Sequence, residues 1–154
     1  PNIYAAGDVT GLSLLAHTAS CEAEVAVNHI LGIEDRMEYN AIPGVVYTNP
    51  EVSSVRLTEE QATKEGVEYT LHKLPMTYAG RFVAENEGQM GLCKILVAPD
   101  GKVLGVHMLG NPCSEFICAA CMAITNGLTV EQLRRTVFPH PTVSEILKEG
   151  LMNV

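Results

Sequence analysis

Gly91-Leu92-Cys93-Lys94-Ile95-Leu96-Val97-Ala98-Pro99-Asp100-Gly101-Lys102-Val103-Leu104-Gly105-Val106-His107-Met108-Leu109-Gly110 is the stretch on which the fold turns. Residues 91–98 and 103–110 are apolar runs of strand length, and Pro-Asp-Gly-Lys between them is a tight turn. Asp-Gly flanked by apolar runs is a strong hairpin signal, because glycine accepts a positive φ at no steric cost. This predicts two antiparallel strands. His107 lies inside the second and reads as a structural side chain. After the hairpin, Asn111 or Ser114 opens a helix through Ile124 that ends at Asn126-Gly127, and a short helix follows Thr129. Before it, residues 67–74 alternate apolar with polar, as a half-buried strand does. Thr58-Glu59-Glu60-Gln61 has the form of a capping box and opens a short helix closed by Gly66. Residues 52–56 alternate again, and residues 42–50 hold a strand between turn residues. Residues 75–84 show no clear period.

The chain has 154 residues, enough for one domain or one and a half. An apolar fraction of 47% with 18% charged residues is that of a globular protein with a real core. A formal charge of −8 and the lack of a basic run argue against a nucleic-acid surface. No apolar run approaches the roughly 18 residues needed to span a bilayer, and Pro1-Asn2 leads into a strand rather than a signal peptide. A chain that starts mid-strand reads as a fragment of something longer. The five cysteines, Cys21, Cys93, Cys113, Cys118 and Cys121, are odd in number and sit in apolar segments. They read as free, buried thiols in a reducing, cytoplasmic setting. Cys113, Cys118 and Cys121 have redox-like spacings, but on an apolar helix they read as small packing residues. No second Cys/His cluster has the spacing of a zinc site, so no metal is expected.

At the N-terminal end, residues 2–9 read as a short buried strand ending in a Gly-Asp turn. Ser13 is placed to cap a helix over 14–31 whose apolar face includes Leu15, Ala19, Ala23, Ala26, Val27 and Ile30, with Gly32 as its C′ residue. Residues 33–40 form a polar connector, which puts a boundary between 1–40 and 41–154.

Near the other end stands Phe138-Pro139-His140-Pro141-Thr142-Val143-Ser144-Glu145. Each proline fixes its own φ and biases the preceding residue to extended backbone, so His140 sits on a stiff, non-helical spur. Thr142 or Ser144 can cap a helix that puts Glu145 in or near its first turn and runs to Gly150. A carboxylate that accepts from one ring nitrogen fixes the tautomer and leaves the other nitrogen to take or give a proton. The same residues also fit a proline-rich turn with an incidental histidine.

His140-Pro141-Thr142-Val143-Ser144-Glu145 resembles the H-P-T-x-S-E signature of the dithiol/disulfide flavoenzymes, the family of dihydrolipoamide dehydrogenase and glutathione reductase. Two further stretches resemble the same family. Residues 3–9, I-Y-A-A-G-D-V, followed by Ala16-His17 and an alanine-rich helix, are similar to its second flavin fingerprint. Residues 42–62 are similar to the start of its interface domain. The resemblance implies an α+β fold over 41–154, an antiparallel sheet covered by helices, preceded by a strand-helix remnant of the FAD domain over 1–40. It implies His140 as active-site base paired with Glu145, reaching across a two-fold homodimer interface, with a cis His140-Pro141 bond. It implies Asp8 on a ribityl hydroxyl of FAD, and the amides around Leu15, Ala16 and His17 at the flavin edge. The implied activity of the parent is dihydrolipoamide oxidation with NAD, in a protein that associates with 2-oxo acid dehydrogenase or glycine cleavage components. The isolated chain would then lack activity and hold FAD weakly or not at all. A glutathione reductase-like enzyme is the alternative, and a self-association module without activity is the alternative of another class. Mercuric reductase, which resembles these enzymes but carries a terminal cysteine pair, fits poorly with an ending Leu151-Met152-Asn153-Val154. Two positions depart from the pattern: Arg56 stands where the family has Gly, and Phe138 where lipoamide enzymes carry a first His.

Overall fold

The computed structural model describes residues 2–152, which form two compact units divided between Tyr39 and Asn40.

The first unit holds one long helix, α1 (Ala16–Ile30). It ends in a Schellman motif: Ile33 N–H donates to Asn28 O at 2.9 Å and Gly32 N–H to His29 O at 3.1 Å. Gly32, at φ 75°, takes the left-handed position expected of it. Three expectations fail here. Residues 2–6 are not a strand, and Ile3 is 89% exposed, since among the described residues no strand lies alongside to complete a ladder. Asp8–Thr10 is instead a 3-10 turn. Ser13 does not cap α1: the N-cap is Leu15, and the Ser13 hydroxyl bonds Thr18 Oγ1 at 2.9 Å. Val27 and Ile30, assigned to the apolar face, are exposed.

The second unit is built on a five-stranded antiparallel sheet of order β1-β2-β5-β4-β3. Its strands are β1 (Pro43–Val46), β2 (Val52–Arg56), β3 (Thr70–Pro75), β4 (Leu92–Val97) and β5 (Val103–Leu109). Its helices are α2 (Glu59–Glu65), α3 (Gly80–Glu85), α4 (Cys113–Thr125), α5 (Val130–Arg134) and α6 (Glu145–Met152). The predicted hairpin is β4-β5, which lies in the middle of the sheet and puts Ile95 opposite Val106. Register then aligns the buried rows. Val55, Val106, Ile95 and His72 lie across from one another, as do Ser53, Met108, Cys93 and Leu74. α4 packs on β1, β2 and β5 and α6 on β3 and β4, so two helices close this face over the main core. A smaller cluster of Ala62, Leu96 and Leu104, with Leu57 and Val67 packed against it, ties α2 to the sheet. Residues 75–84, unreadable from period alone, finish β3, make a 3-10 turn and form α3, whose Phe82 is fully buried.

Both threonine-led helices carry complete capping boxes, Thr58 with Gln61 and Thr129 with Gln132. Asn49-Pro50, Asn111-Pro112 and His140-Pro141 are cis. The Arg56 departure has a backbone meaning: among the described residues it is the non-glycine residue with positive φ, at 60°. A left-handed L-residue costs roughly 1–2 kcal/mol, and glycine's extra unfolded-state freedom returns about 0.5–1 kcal/mol of that. Arg56→Gly should therefore raise the urea midpoint by an amount worth about 0.5–1 kcal/mol. A lower midpoint would mean that the Arg56 side chain contributes more than its backbone costs.

Candidate functional site

The spur at 138–145 joins α5 to α6. Pro139, His140 and Pro141 are exposed, and Val143 is buried. Local hydrogen bonds hold the spur. The Thr142 hydroxyl donates to Pro139 O at 2.8 Å and shares a 2.9 Å contact with Ser144 Oγ. Glu145, the first residue of α6, serves both halves: its Oε2 accepts from Thr142 N–H at 2.8 Å and its Oε1 lies 2.9 Å from His140 Nδ1. The Thr142 amide, then the imidazole, holds the Glu145 carboxyl below the ordinary Glu value, so it is ionised near neutrality. A carboxylate can only accept, so His140 Nδ1 is the donor and Nε2 is left as the proton acceptor. The imidazole is 81% exposed while the carboxylate is 22% exposed, so a half-buried group steers a group that reaches outward. Such a pair can remove a proton from an acidic group brought to Nε2.

The depressed Glu145 carboxyl carries a pH dependence. A group whose pKa is lower folded than unfolded adds stability that is complete above its unfolded value, about 4.3 for Glu, and is lost as pH falls below it. Between about pH 6 and pH 3 the urea midpoint should fall, and Glu145→Gln should flatten part of that fall. An identical pH slope in both proteins would show that the carboxylate gains nothing from these contacts.

The other assigned residues lie in the first unit. Asp8 is exposed, in the 3-10 turn. Leu15, Ala16 and His17 are the N-cap and first two residues of α1, an N-terminus with no side-chain cap. A helix N-terminus presents N–H donors and the positive end of the helix dipole, so this end is of the kind that suits an acceptor group supplied from outside. The sequence reading missed Glu22, which organises this region. It is only 5% exposed, its Oε2 takes the Gly7 amide at 2.6 Å, and its Oε1 takes the Tyr39 hydroxyl at 2.7 Å. The Gly7 bond, then Tyr39, pulls its carboxyl pKa down. A Glu among alanines on a helix carries no local mark of this role. Glu51 was missed for the same reason. Its Oε2 accepts from Ser114 N–H at 2.9 Å, while its own amide donates to Asn111 Oδ1 at 2.8 Å, so it holds the start of α4 from sixty positions away.

The cysteines divide. Cys93 and Cys113 are buried, and Cys121 is half-buried. Burial pushes Cys93 up to about 12 and Cys121 up to about 11, which leaves both as poor nucleophiles. Cys21 and Cys118 are exposed, contrary to the expectation of uniformly buried thiols, because each falls on the outer face of its helix. His107 is structural, with Nε2 2.8 Å from Leu57 O.

The pattern of the pyridine nucleotide-disulphide oxidoreductase dimerisation domain matches residues 42–151. Among curated proteins, dihydrolipoyl dehydrogenase 3 of Pseudomonas putida is 40% identical over 100% of this chain and 33% of its own length. The mitochondrial dihydrolipoyl dehydrogenase 1 of Arabidopsis thaliana is 42% identical over 99% of this chain and 30% of its own length. Among solved structures, LpdA from Mycobacterium tuberculosis superposes with a TM-score of 0.91 at 29% identity, covering 98% of this chain and 33% of that one. The HOCl-induced flavoprotein disulfide reductase RclA from Escherichia coli superposes with a TM-score of 0.88 at 28% identity, covering 99% and 35%. The chain thus spans about a third of the length of the relatives it matches. On its fold and on this match, the chain belongs to the pyridine nucleotide-disulphide oxidoreductase family, as the dimerisation domain with a short preceding unit.

Proposed function

We propose that this chain is the C-terminal third of a dihydrolipoamide dehydrogenase, and that it supplies the active-site base of that enzyme. The observation that carries this is the His140–Glu145 pair: Nδ1 fixed at 2.9 Å from an ionised carboxylate, on a spur that turns the ring outward. The names of the relatives supply the substrate class. In the parent homodimer, His140 takes a proton from a dihydrolipoamide thiol at the partner's active site, and the thiolate so made attacks the redox disulfide. Glu145 keeps the tautomer and direction of the ring. Asp8 and the α1 N-terminus around Leu15, Ala16 and His17 hold part of FAD, which supplies electron transfer to NAD when bound. Residues 1–40 are then the end of the FAD domain and 41–154 the interface domain. A cytoplasmic enzyme serving 2-oxo acid dehydrogenase or glycine cleavage complexes is consistent with this role.

The apolar, small-residue surface of α4 suits an isologous contact. Ala119 and Cys121 are partly exposed, and Met122 is 61% exposed. Purified full-length parent tests the reading. It should reduce NAD with dihydrolipoamide and show little NADPH-dependent reduction of glutathione disulfide. The opposite preference would move the assignment to a glutathione reductase-like enzyme. Neither activity, with a stable dimer, would favour a self-association module.

A further inference from the structure

We propose that Phe138 is the positioning residue of His140, its ring acting as the hydrophobic anchor that sets where the spur presents Nε2. This rests on His140 being the base, as proposed above. Residues 139–145 are bonded mainly to one another: Thr142 Oγ1 to Pro139 O, Thr142 N–H to Glu145, and His140 to Glu145. Those bonds keep the histidine and the glutamate in register, but they do not fix the direction of the knot as a whole. That falls to its attachments. On the C-terminal side, Val143 is 5% exposed and Ile146 fully buried, so the knot runs directly into α6. On the N-terminal side Thr136 and Pro139 are exposed and Val137 is 89% exposed. Phe138 is the apolar side chain of this approach that packs against the main core.

Its seat is an apolar cavity of about 180 Å³ that it lines together with Ala119, Ala123, Leu133, Leu147 and Leu151. The space is spare volume next to the ring. A smaller side chain at 138 would widen it and leave the approach without its apolar hold, with the Thr136 backbone bonds to Leu133 O and Lys148 Nζ remaining two residues upstream. The link from anchor to imidazole is short and stiff, because Pro139 stands between them with its φ fixed. A displacement at Phe138 is therefore passed to His140 with little slack. A general base must sit within hydrogen-bond reach of its proton, and a misplacement of about 1 Å can cost on the order of 10²-fold in rate.

The test uses the full-length, flavin-bound parent with Phe138→Ala, Phe138→Leu and His140→Gln, following three readouts: dihydrolipoamide oxidation, NADH oxidation by an artificial acceptor, and thermal unfolding. Phe138→Ala should lower kcat for dihydrolipoamide roughly 10- to 100-fold, with KM and the NADH reaction near parent values. Phe138→Leu, which keeps an apolar plug, should recover most of that kcat. A role confined to stability would lower the melting temperature and leave kcat of the folded enzyme intact, and that result overturns the proposal. So does loss of both reactions together in folded, flavin-bound Phe138→Ala. Loss of dihydrolipoamide turnover in His140→Gln with parent kcat in Phe138→Ala sinks the anchor alone. Full turnover in His140→Gln sinks the base assignment and the anchor with it.

Discussion

His140→Gln in the full-length parent should lower dihydrolipoamide oxidation by about 10²- to 10⁴-fold, the usual contribution of a positioned general base. Glutamine has similar reach and hydrogen-bonding capacity but cannot accept a proton near neutrality, so the loss isolates proton transfer from packing. The imidazole is 81% exposed, so the substitution leaves the core untouched and the melting temperature should stay near that of the parent. NADH oxidation by an artificial acceptor involves no thiol deprotonation and should largely survive. Glu145→Gln should cost less in rate, because it removes charge and orientation but leaves the ring. It should cost more in stability, because Glu145 also holds the Thr142 amide. Intact dihydrolipoamide turnover in His140→Gln, or equal loss of both reactions with flavin bound, would contradict the assignment.

Gly105→Ala should destabilise the second unit by about 3 kcal/mol, at the upper end of ordinary overpacking. Gly105 lies in β5 opposite Arg56 of β2 and Leu96 of β4. A Cβ there would meet the Leu57 carbonyl oxygen at 2.1 Å and the Leu57 carbonyl carbon at 3.1 Å. These are backbone atoms, so no rotamer change relieves the clash. The Leu57 peptide would have to move, and much depends on it. It receives His107 Nε2, donates to Leu104 O at 3.3 Å, and leads from the left-handed Arg56 into the capping box of α2. Thermal unfolding should show a fall of roughly 10 °C or more. A fall of only one or two degrees would mean that this approach is looser than the geometry shows.

What could be read from the residues follows from the range of the interactions involved. The β4-β5 hairpin, the Thr58 and Thr129 helix starts and the Gly32 and Gly66 stops were legible because each is encoded within a few positions. The His140–Glu145 pair was legible because one rigid turn brings residues five apart together. Residues 2–6 were misread because an apolar run describes a strand only where a neighbour completes the ladder. Glu22 and Glu51 were invisible because their partners, Gly7 and Tyr39 for one and Ser114 for the other, meet them only in the folded chain. Arg56 stands out in the sequence as a departure from the family's Gly, but its positive φ is a property of the folded backbone. The anchoring of Phe138 belongs with these, since the wall it packs on is assembled from α4, α5 and α6.

We propose that His140 of one subunit serves the flavin site of the other, and mixed dimers distinguish this arrangement from action within one subunit. One parent subunit carries His140→Gln; the other keeps His140 but has serine in place of its redox cysteines. Each homodimer alone should be close to inactive. If the base acts across the two-fold axis, each mixed dimer holds one complete site, formed by the intact His140 and the intact cysteines of opposite subunits, and random mixing should restore roughly a quarter of parent activity. If mixed dimers, shown to form by mass, gave no more turnover than the two homodimers, His140 would be serving its own subunit or no site at all, and the account would be wrong.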